Sequence, residues 1–145
     1  AVSEPNYTQP DLTLLGEEHV KAYRETNGEV GGVWNGVPIL LLTTKGRRTG
    51  LDRTIPIIYV RDGGDYVLLA SYGGAPKHPA WYLNLLANPE AEIQVMAERI
   101  PVVARTATGA ERERLWKLAA AQWPNYDVYQ TRTDRVIPVV VLTPK

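Results

Sequence analysis

The sequence predicts a mainly β, α+β domain in which six antiparallel strands form a small, partly open barrel flanked by three or four helices. Three observations predict this fold class. The apolar runs are short and rich in β-branched residues, and several alternate with the period of two that is typical of strands. Three runs contain or adjoin a proline, which strands tolerate only at starts, edges or bulges. A chain of 145 residues, 44% of them hydrophobic, is long enough to bury one core.

The composition excludes several classes of protein. Cysteine is absent, which rules out disulfide scaffolds, thiolate nucleophiles and iron–sulfur clusters. His19 and His78 are the only histidines and lie far apart in the sequence, so we expect no metal site. The 16 Lys and Arg residues balance the 16 Asp and Glu residues. Because nucleic-acid-binding domains are usually basic, we expect no nucleic-acid partner.

The apolar runs are only strand-sized, whereas a membrane helix needs about 20 apolar residues. No basic leader followed by an apolar stretch is visible, so we expect a cytoplasmic protein. A loosely amphipathic stretch between Leu12 and Tyr23 leaves peripheral contact with the inner membrane open, although the acidic residues around it favour packing on the protein. We expect a monomer or a weak homodimer.

The first predicted element is a helix over residues 11–27, which an Asn-Gly pair ends. A Gly-Gly pair then forms a flexible joint. We therefore divide the single domain into an N-terminal helical segment, residues 1–36, and a barrel-forming segment, residues 37–145.

Six runs predict the strands of the barrel. They are residues 38–44, 54–61, 65–71, 91–97, 100–106 and 136–142. An Asp-Gly-Gly-Asp sequence separates the second run from the third and predicts a hairpin, because glycine tolerates the positive φ of a tight turn. Pro56, Pro101 and Pro138 accompany three of the runs, which indicates strand starts, edges or bulges at these positions.

Two further helices interrupt the strands. Residues 80–87 predict the first, with Pro79 at the first helical position, where its missing N–H costs nothing. Thr108 and Glu111 form a capping box that opens a helix reaching about Gln122. A Trp-Pro pair then stops this helix.

The first candidate site is the loop of residues 45–53, KGRRTGLDR, whose four basic residues and one Asp give a local net charge of +3. Its backbone N–H groups suit an anion-binding concavity, to which the Thr49 hydroxyl adds a donor. Arg47, Arg48 and Arg53 carry forked donors that match phosphate or carboxylate oxygens. The alternative is a solvated hairpin tip, where basic residues discourage edge pairing.

The second candidate site is the stretch of residues 70–84. Ser71 ends the third predicted strand, and the glycine pair after it lets the chain approach a ligand closely. The start of the following helix directs N–H dipoles to the same space. Trp81 and Tyr82 offer flat walls for a planar ring, although Trp81 and Leu85, four residues apart, are also typical of core packing.

The third candidate site is residues 123–130, where aromatic residues recur at intervals of three. This cluster is either a lid over a pocket or a packed turn. Conventional side-chain catalysis is not expected, because there is no credible Ser-His-Asp set and neither histidine has the context of a tuned base. A phosphate-binding loop and aromatic walls without a nucleophile indicate that a cofactor carries the reaction.

The sequence contains, in this order, the segments LLLTTKGRRTGLDRTIPIIYV, DGGDYVLLASYGGAPKHPAWYLNLLANPE and WPNYDVYQTRTDRVIPVVVLTP. Together they resemble the deazaflavin-dependent nitroreductase family, the A branch of the coenzyme F420-dependent reductases. The resemblance covers about residues 37–144 and is loose over the first 30 or so. It implies a six-stranded split β-barrel, in agreement with the strand count.

The resemblance also implies that the protein binds reduced F420 and that the motif GRRTGxxR holds the cofactor's phosphate and acidic tail. The residues implied at this polar end are Lys45, Arg47, Arg48, Thr49 and Arg53. Those implied beside the deazaflavin are Thr54, Ile55, Pro56, Ile57, Ile58, Leu69, Ala70, Ser71, Tyr72, Ala80, Trp81, Tyr82, Leu83 and Asn84, with Tyr126 reaching over it from the lid. The family commonly has tyrosine at the positions of Ile58 and Trp123 and lysine at that of Tyr72, departures that bear on substrate choice.

By the same resemblance, a hydride passes from C5 of the reduced deazaflavin to an electron-poor carbon of the acceptor. The implied acceptors are quinones, nitro compounds, and unsaturated lactones or enones of the furanocoumarin and aflatoxin kind. Ser71 is the candidate donor to the acceptor oxygen, and the proton comes from solvent, Tyr126 or Tyr129. Two alternatives stay open: an FMN-binding split-barrel oxidoreductase, and a non-catalytic deazaflavin-binding module.

Overall fold

The computed structural model describes residues 16–145 as an antiparallel sheet with four helices packed around it. The helices are α1 (Gly16–Thr26), α2 (Ala80–Ala87), α3 (Gly109–Gln122) and α4 (Asn125–Thr131). The strands are β1 (Val33–Trp34), β2 (Val37–Lys45), β3 (Asp52–Ile58), β4 (Val60–Asp62), β5 (Asp65–Leu69), β6 (Glu90–Val95), β7 (Glu98–Thr106) and β8 (Val139–Pro144). A 3-10 turn, Tyr72–Gly74, follows β5. Residues 11–15 of the first predicted helix lie outside the described residues.

The sheet curls into a partly open barrel, and the two strands β3 and β4, which lie at opposite ends of the sheet, are consecutive in the sequence. The strand order is β1-β2-β6-β7-β8-β5-β4, and β3 also pairs with β2. β3 and β4 pair with different strands, yet only Tyr59 separates them in the sequence. The segment of residues 52–62 therefore joins the two ends of the sheet covalently. This antiparallel, partly open barrel with four helices confirms the predicted fold class.

All six predicted strands are present, with three differences in detail. The predicted strand of residues 54–61 is two strands, because the chain leaves its ladder with β2 before Tyr59 and pairs with β5 from Val60 onwards. β1 has no counterpart in the prediction, since two residues are too few to show a period. β8 begins three residues later than predicted, because residues just before it hydrogen-bond to the Gln130 side chain instead of a strand.

Alternate residues of the central strands face two different cores. The barrel interior holds Leu40, Leu42, Leu68, Ile93, Val140 and Leu142, together with Trp81 and Leu85 of α2. The other core holds Val67, Leu69, Val139 and Val141, which pack with Leu115 and Ala119 of α3 and with Trp123. Because neighbouring side chains of a strand point to opposite faces, burial of both faces explains why β8 is an unbroken apolar run instead of an alternating one.

Tyr23 attaches helix α1 to the sheet. Its side chain is fully buried and packs with Ile39 and Leu41 of β2. Its hydroxyl lies 3.1 Å from the carbonyl oxygen of Ile39 and 3.2 Å from that of Gln94, and it accepts a 2.7 Å hydrogen bond from the backbone N–H of Met96. Burial raises the pKa of Tyr23, so the hydroxyl stays protonated and able to donate.

Helices α2 and α3 start close to their predicted positions, but the capping differs. α3 begins after Thr108, whose side chain makes no capping hydrogen bond. The predicted capping box does not form, because the Glu111 carboxylate accepts hydrogen bonds of 2.6 and 2.9 Å from Arg105 instead. Pro79 precedes α2 and is not its first helical residue; its backbone is extended, and its carbonyl accepts a 3.1 Å bond from the N–H of Tyr82.

Candidate active site

A large cavity lies along β3, with a volume of about 1020 Å³. Ligand pockets commonly measure about 300–1,000 Å³, so this one has room for a large ligand or for two smaller ones. β3 begins at the basic loop of residues 46–51 and ends at Ile58, which packs against the aromatic cluster around Trp123. We call these two regions the basic end and the aromatic end, and residues 54–58 between them the strand wall.

The conformation of the basic loop is fixed by Asn84 of α2. Two short backbone hydrogen bonds close the loop on itself. The buried Asn84 side chain accepts hydrogen bonds from the backbone N–H of Arg47 at 3.1 Å and from its Nη1 at 3.2 Å. Its Nδ2 donates to the Thr44 hydroxyl at 3.1 Å. The loop is therefore anchored to a helix that packs on the barrel and is not a freely moving tip.

Two guanidinium groups at the basic end have their donors available. Arg48 and Arg53 are exposed and line the cavity. Within residues 16–145 neither has an ion-pair or hydrogen-bond partner, whereas Lys45 is paired with Asp52 at 2.5 Å. Because arginine stays charged and presents a rigid fork of donors, these groups suit a phosphate or carboxylate ligand.

The turn after β5 brings Ser71 to the cavity through a costly backbone conformation. Tyr72, Gly73 and Gly74 have φ values of 47°, 63° and 83°, so three successive residues are left-handed. For a residue with a side chain, such as Tyr72, this costs about 1–2 kcal/mol. Gly74 also has no room for a side chain, because a Cβ there would lie 2.6 Å from the carbonyl oxygen of Tyr129. The Ser71 hydroxyl has no hydrogen-bond partner within the described part of the chain.

The aromatic end is a cluster of ring-bearing residues from three parts of the chain. Trp34 of β1 and Trp123 have ring centroids 5.4 Å apart. Tyr126 and Tyr129 of α4 have centroids 6.3 Å apart with nearly perpendicular planes. All four residues line the cavity. Such rings offer flat, largely apolar surfaces against which a planar ligand stacks.

The Tyr126 hydroxyl is held in its protonated form. Burial raises the pKa of Tyr126 well above its usual value of 10.0, and the neighbouring Tyr129 raises it further. Among residues 16–145 this hydroxyl has no hydrogen-bond partner. A phenol of this kind can donate a hydrogen bond or a proton to a ligand, but it is no base at neutral pH.

The cavity brings together most of the predicted site residues. They are Arg47, Arg48, Thr49, Arg53, Thr54, Ile55, Pro56, Ile57, Ile58, Leu69, Ser71, Tyr72, Ala80, Trp81, Asn84, Tyr126 and Tyr129. The four that do not line it are Lys45, Ala70, Tyr82 and Leu83. Ala70 and Tyr82 pack in the barrel core instead, and Lys45 pairs with Asp52. On α2 the cavity residues Trp81 and Asn84 are three apart and share a helix face, from which Leu83 points away.

Some cavity residues are absent from the predicted set. Trp34 stands between a Gly-Gly pair and an Asn-Gly pair, a pattern that signals an aromatic residue on a tight hairpin. Trp123 was expected in the lid cluster, as a departure from the family that bears on substrate choice, but not among the site residues, and it lines the aromatic end. His19 of α1 borders the cavity and bonds through Nε2 to the carbonyl oxygen of Gly31 at 2.7 Å. Nothing in an isolated histidine of an amphipathic helix signals this position.

Among residues 16–145 no helix is both long enough and apolar enough to cross a membrane. No group of three or more His, Asp or Glu side chains in this part of the chain is placed to hold a metal ion.

The chain matches the family model of the F420H(2)-dependent quinone reductases over residues 15–144. It is 45% identical over 129 residues to the F420H(2)-dependent quinone reductase Rv1261c of Mycobacterium tuberculosis, a match that covers 86% of this chain and 87% of that protein.

Two solved structures are similar in fold and sequence. An F420-H2 dependent reductase, FDR-A, is 46% identical with a TM-score of 0.68, covering 72% of this chain and 93% of the other. A second, described as a domain-swapped dimer, is 43% identical with a TM-score of 0.69, covering 85% and 96%. With the family model matching nearly every described residue, the chain belongs to the F420H(2)-dependent quinone reductase family, F420-dependent oxidoreductases whose hydride donor is reduced coenzyme F420.

Proposed function

We propose that this chain reduces quinones with reduced F420 as the hydride donor. The supporting observation is the cavity, in which the strand wall connects a basic end to an aromatic end. From Arg53 to Ile58 the strand advances about 16 Å, at about 3.3 Å per residue. That length suits an elongated cofactor with an anionic tail at one end and a planar ring at the other.

The donor set of the basic end fits the anionic part of F420. Arg48 and Arg53 have free guanidinium groups, and Arg47 is held in place by Asn84. Arginine binds phosphate and carboxylate oxygens in pairs. Three arginines at one end of the cavity suit a phosphate followed by further carboxylates better than the single phosphate of FMN.

When bound, reduced F420 supplies a hydride, and a quinone that takes up this hydride and one proton becomes a hydroquinone. The residues of the chain orient the acceptor and stabilise its charge. The Ser71 hydroxyl donates to the quinone oxygen as negative charge grows there. Tyr126, or Tyr129 beside it, or solvent, delivers the proton. The aromatic end stacks on the acceptor ring and excludes water.

We extend the proposal to nitro compounds and to unsaturated lactones or enones such as furanocoumarins and aflatoxins. These molecules share with quinones a flat, electron-poor ring system and an oxygen that gains negative charge, so Ser71 and the aromatic end suit them too. Ile58, Tyr72 and Trp123 line the cavity and would set the preference among them. Comparing kcat/KM for menadione, a nitroimidazole and a furanocoumarin gives the order of preference among these acceptors. A value for menadione below the others would mean that quinones are not the main substrate class.

Binding and turnover are tested separately. Fluorescence titration of the purified protein with F420 and with FMN compares the two cofactors, and we expect tighter binding of F420. Anaerobic mixing of the complex with menadione, followed at the cofactor's absorbance, measures its oxidation. Equal or tighter binding of FMN would make the protein an FMN oxidoreductase. Binding of F420 without oxidation by any acceptor would make it a deazaflavin-binding module.

A further inference from the structure

Arg135, in the loop between α4 and β8, binds the segment that carries Ser71. Its Nε donates to the carbonyl oxygen of Ala75 at 2.8 Å, and its Nη2 donates to that of Ser71 at 2.7 Å. Its Nη1 donates to the carbonyl oxygen of Ala70 at 3.1 Å and also lies 3.1 Å from Nδ1 of His78. All three guanidinium nitrogens are therefore engaged with one stretch of nine residues.

These contacts lie on both sides of the strained turn Tyr72–Gly74. Ala70 and Ser71 precede its three left-handed residues, and Ala75 follows them. The turn has two hydrogen bonds of its own, from the N–H groups at its end. Because a guanidinium is planar with donors in fixed directions, it sets the relative positions of the three carbonyl oxygens and so the path of the chain between them.

Arg135 is itself held by the helix that forms part of the aromatic end. The Gln130 side chain of α4 donates to the carbonyl oxygen of Arg135 at 2.8 Å and accepts from the N–H of Ile137 at 3.1 Å. The same helix carries Tyr126 and Tyr129, which line the cavity. Arg135 thus ties the Ser71 turn to α4.

The surroundings of Arg135 point to a role in organising backbone and not in ion pairing. Among residues 16–145 its guanidinium has no carboxylate partner; it faces carbonyl oxygens and an imidazole. Burial, and then the charge of Arg135, lowers the pKa of His78. The imidazole is therefore neutral and able to accept at Nδ1.

We propose that Arg135 is a positioning residue: it holds residues 71–74 against the cavity and thereby places the Ser71 hydroxyl for the acceptor. It does not line the cavity and acts through Ser71. The inference rests on the proposed function for the part played by Ser71, but the contact with the turn is independent of it.

Three variants test the contact in the cofactor-free protein. Arg135→Met removes all the donors, Arg135→Lys keeps the charge without the fork, and Arg114→Met is the matched control, since Arg114 pairs with Asp62 away from the cavity. Amide hydrogen exchange of Gly74 and Ala75, whose N–H groups bond within the turn, is the first measurement. We expect exchange at least about tenfold faster in Arg135→Met, an intermediate rate in Arg135→Lys, and no change in the control.

NMR titration of His78 is the second measurement. In Arg135→Met the pKa of His78 is expected to rise, because the neighbouring positive charge is gone. Arg135→Lys, which keeps a charge near the ring, is expected to give a smaller rise. These two readouts would not move if Arg135 were an ordinary surface residue.

The third measurement is single-turnover oxidation of bound reduced F420 by menadione. In Arg135→Met we expect a rate up to about 10-fold lower, because displacing the Ser71 hydroxyl cannot cost more than removing it, with F420 affinity little changed and partial rescue by added methylguanidinium. Unchanged hydrogen exchange in Arg135→Met would overturn the proposal. Faster exchange would also overturn it if the oxidation rate stayed at the wild-type value, or if F420 affinity fell by as large a factor as the rate. If the wild-type protein does not oxidise F420 at all, the proposed function fails, and the exchange and titration results still decide whether Arg135 holds the turn. Should Arg135→Met not fold, Arg135→Lys carries the same comparisons.

Discussion

Arg47 of the basic loop and Arg53 at the start of β3 both lie at the basic end but meet different surroundings. Arg47 is bound to Asn84 through both its backbone N–H and its guanidinium. Arg53 has no partner within the described residues. A substitution of Arg53 would therefore remove only the proposed contact with the ligand, whereas a substitution of Arg47 would also remove part of what anchors the loop.

Arg53→Ala is expected to raise the dissociation constant for F420 by about 10- to 150-fold, which is about 1.5–3 kcal/mol for hydrogen bonds to a charged group. Arg47→Ala should weaken binding at least as much and also lower the free energy of unfolding. Fluorescence titration of both variants measures the effect. Arg99→Ala is the control, because Arg99 pairs with Glu92 on an exposed hairpin. Equal binding by all three variants would mean that the basic loop takes no part in binding the cofactor.

Ser71→Ala is expected to lower the rate of hydride transfer while leaving F420 affinity nearly intact. The hydroxyl is proposed to meet an oxygen whose charge grows only in the transition state. One donor of this kind in a hydrolase was worth about 100- to 1000-fold, and a partly exposed hydroxyl should give about 10-fold. Single-turnover oxidation by menadione measures the rate, with the exposed Thr143→Ala as control. An unchanged rate would remove Ser71 from the mechanism.

His78 should make stability depend on pH. Burial, and then Arg135, lowers its pKa in the folded state below 6.5, so protonation is harder there than in the unfolded chain. The stability it contributes is present above about pH 6.5 and is lost as pH falls through the folded-state pKa. Urea denaturation at a series of pH values should show this loss, and His78→Gln should reduce it. An identical pH dependence in the variant would contradict the assignment.

At the scale of elements, short-range periodicity predicted the strands but not the features that depend on distant partners. The run around Tyr59 is continuously apolar, and its division into two strands depends on pairing with β2 and then β5. Glu111 has the spacing of a capping residue, but Arg105 of the neighbouring strand binds it. Trp34 lies on a two-residue strand, too short for any period to reveal.

The same limit applies to the candidate site. The family motif predicted stretches of chain, and the structure shows that only some residues in each stretch reach the cavity. Ala70 lies in the barrel core between Leu69 and Ser71, which face the cavity. The Tyr82 hydroxyl bonds to Thr106 at 2.8 Å. Which face of an element meets the cavity follows from packing, and the motif does not encode it.

Tyr23→Phe tests the attachment of α1. The substitution leaves the partly buried N–H of Met96 and the carbonyl oxygens of Ile39 and Gln94 without this partner. We expect a loss of about 1–3 kcal/mol in the free energy of unfolding, measured by urea denaturation. Tyr72→Phe, at an exposed side chain, should leave it unchanged. Equal stability of both variants would mean that apolar packing alone holds the helix.

At the scale of the whole molecule, the charge is balanced but unevenly distributed. The chain carries 16 basic and 16 acidic residues, and because residues 45–53 have a local charge of +3, the remainder carries −3. A polyanionic ligand is therefore attracted to one end of the cavity of a neutral protein. In the proposed complex the tail of the ligand would meet exposed arginines, and salt screens charge interactions at exposed sites strongly.

The affinity for F420 should consequently fall as ionic strength rises. The screening length shortens from about 10 Å at 0.1 M salt to about 3 Å at 1 M. Titrations with F420 over this range measure the dependence, and the KM for menadione, which is uncharged, serves as the internal control. An affinity for F420 that does not change with salt would contradict a role for exposed ion contacts.

The strand that closes the barrel is also the wall of the cavity. Residues 54–58 pair on one side with β2, and β4, which follows directly, pairs with β5. A ligand lying along this wall therefore contacts the segment that joins the two ends of the sheet. A ligand that binds only the folded state stabilises it in proportion to the logarithm of its concentration over Kd. We expect the bound ligand to oppose, above all, the local separation of β3 from β2. That separation would expose the edge of β2 to other chains. Cofactor supply would then govern how long each molecule survives as well as how fast it turns over.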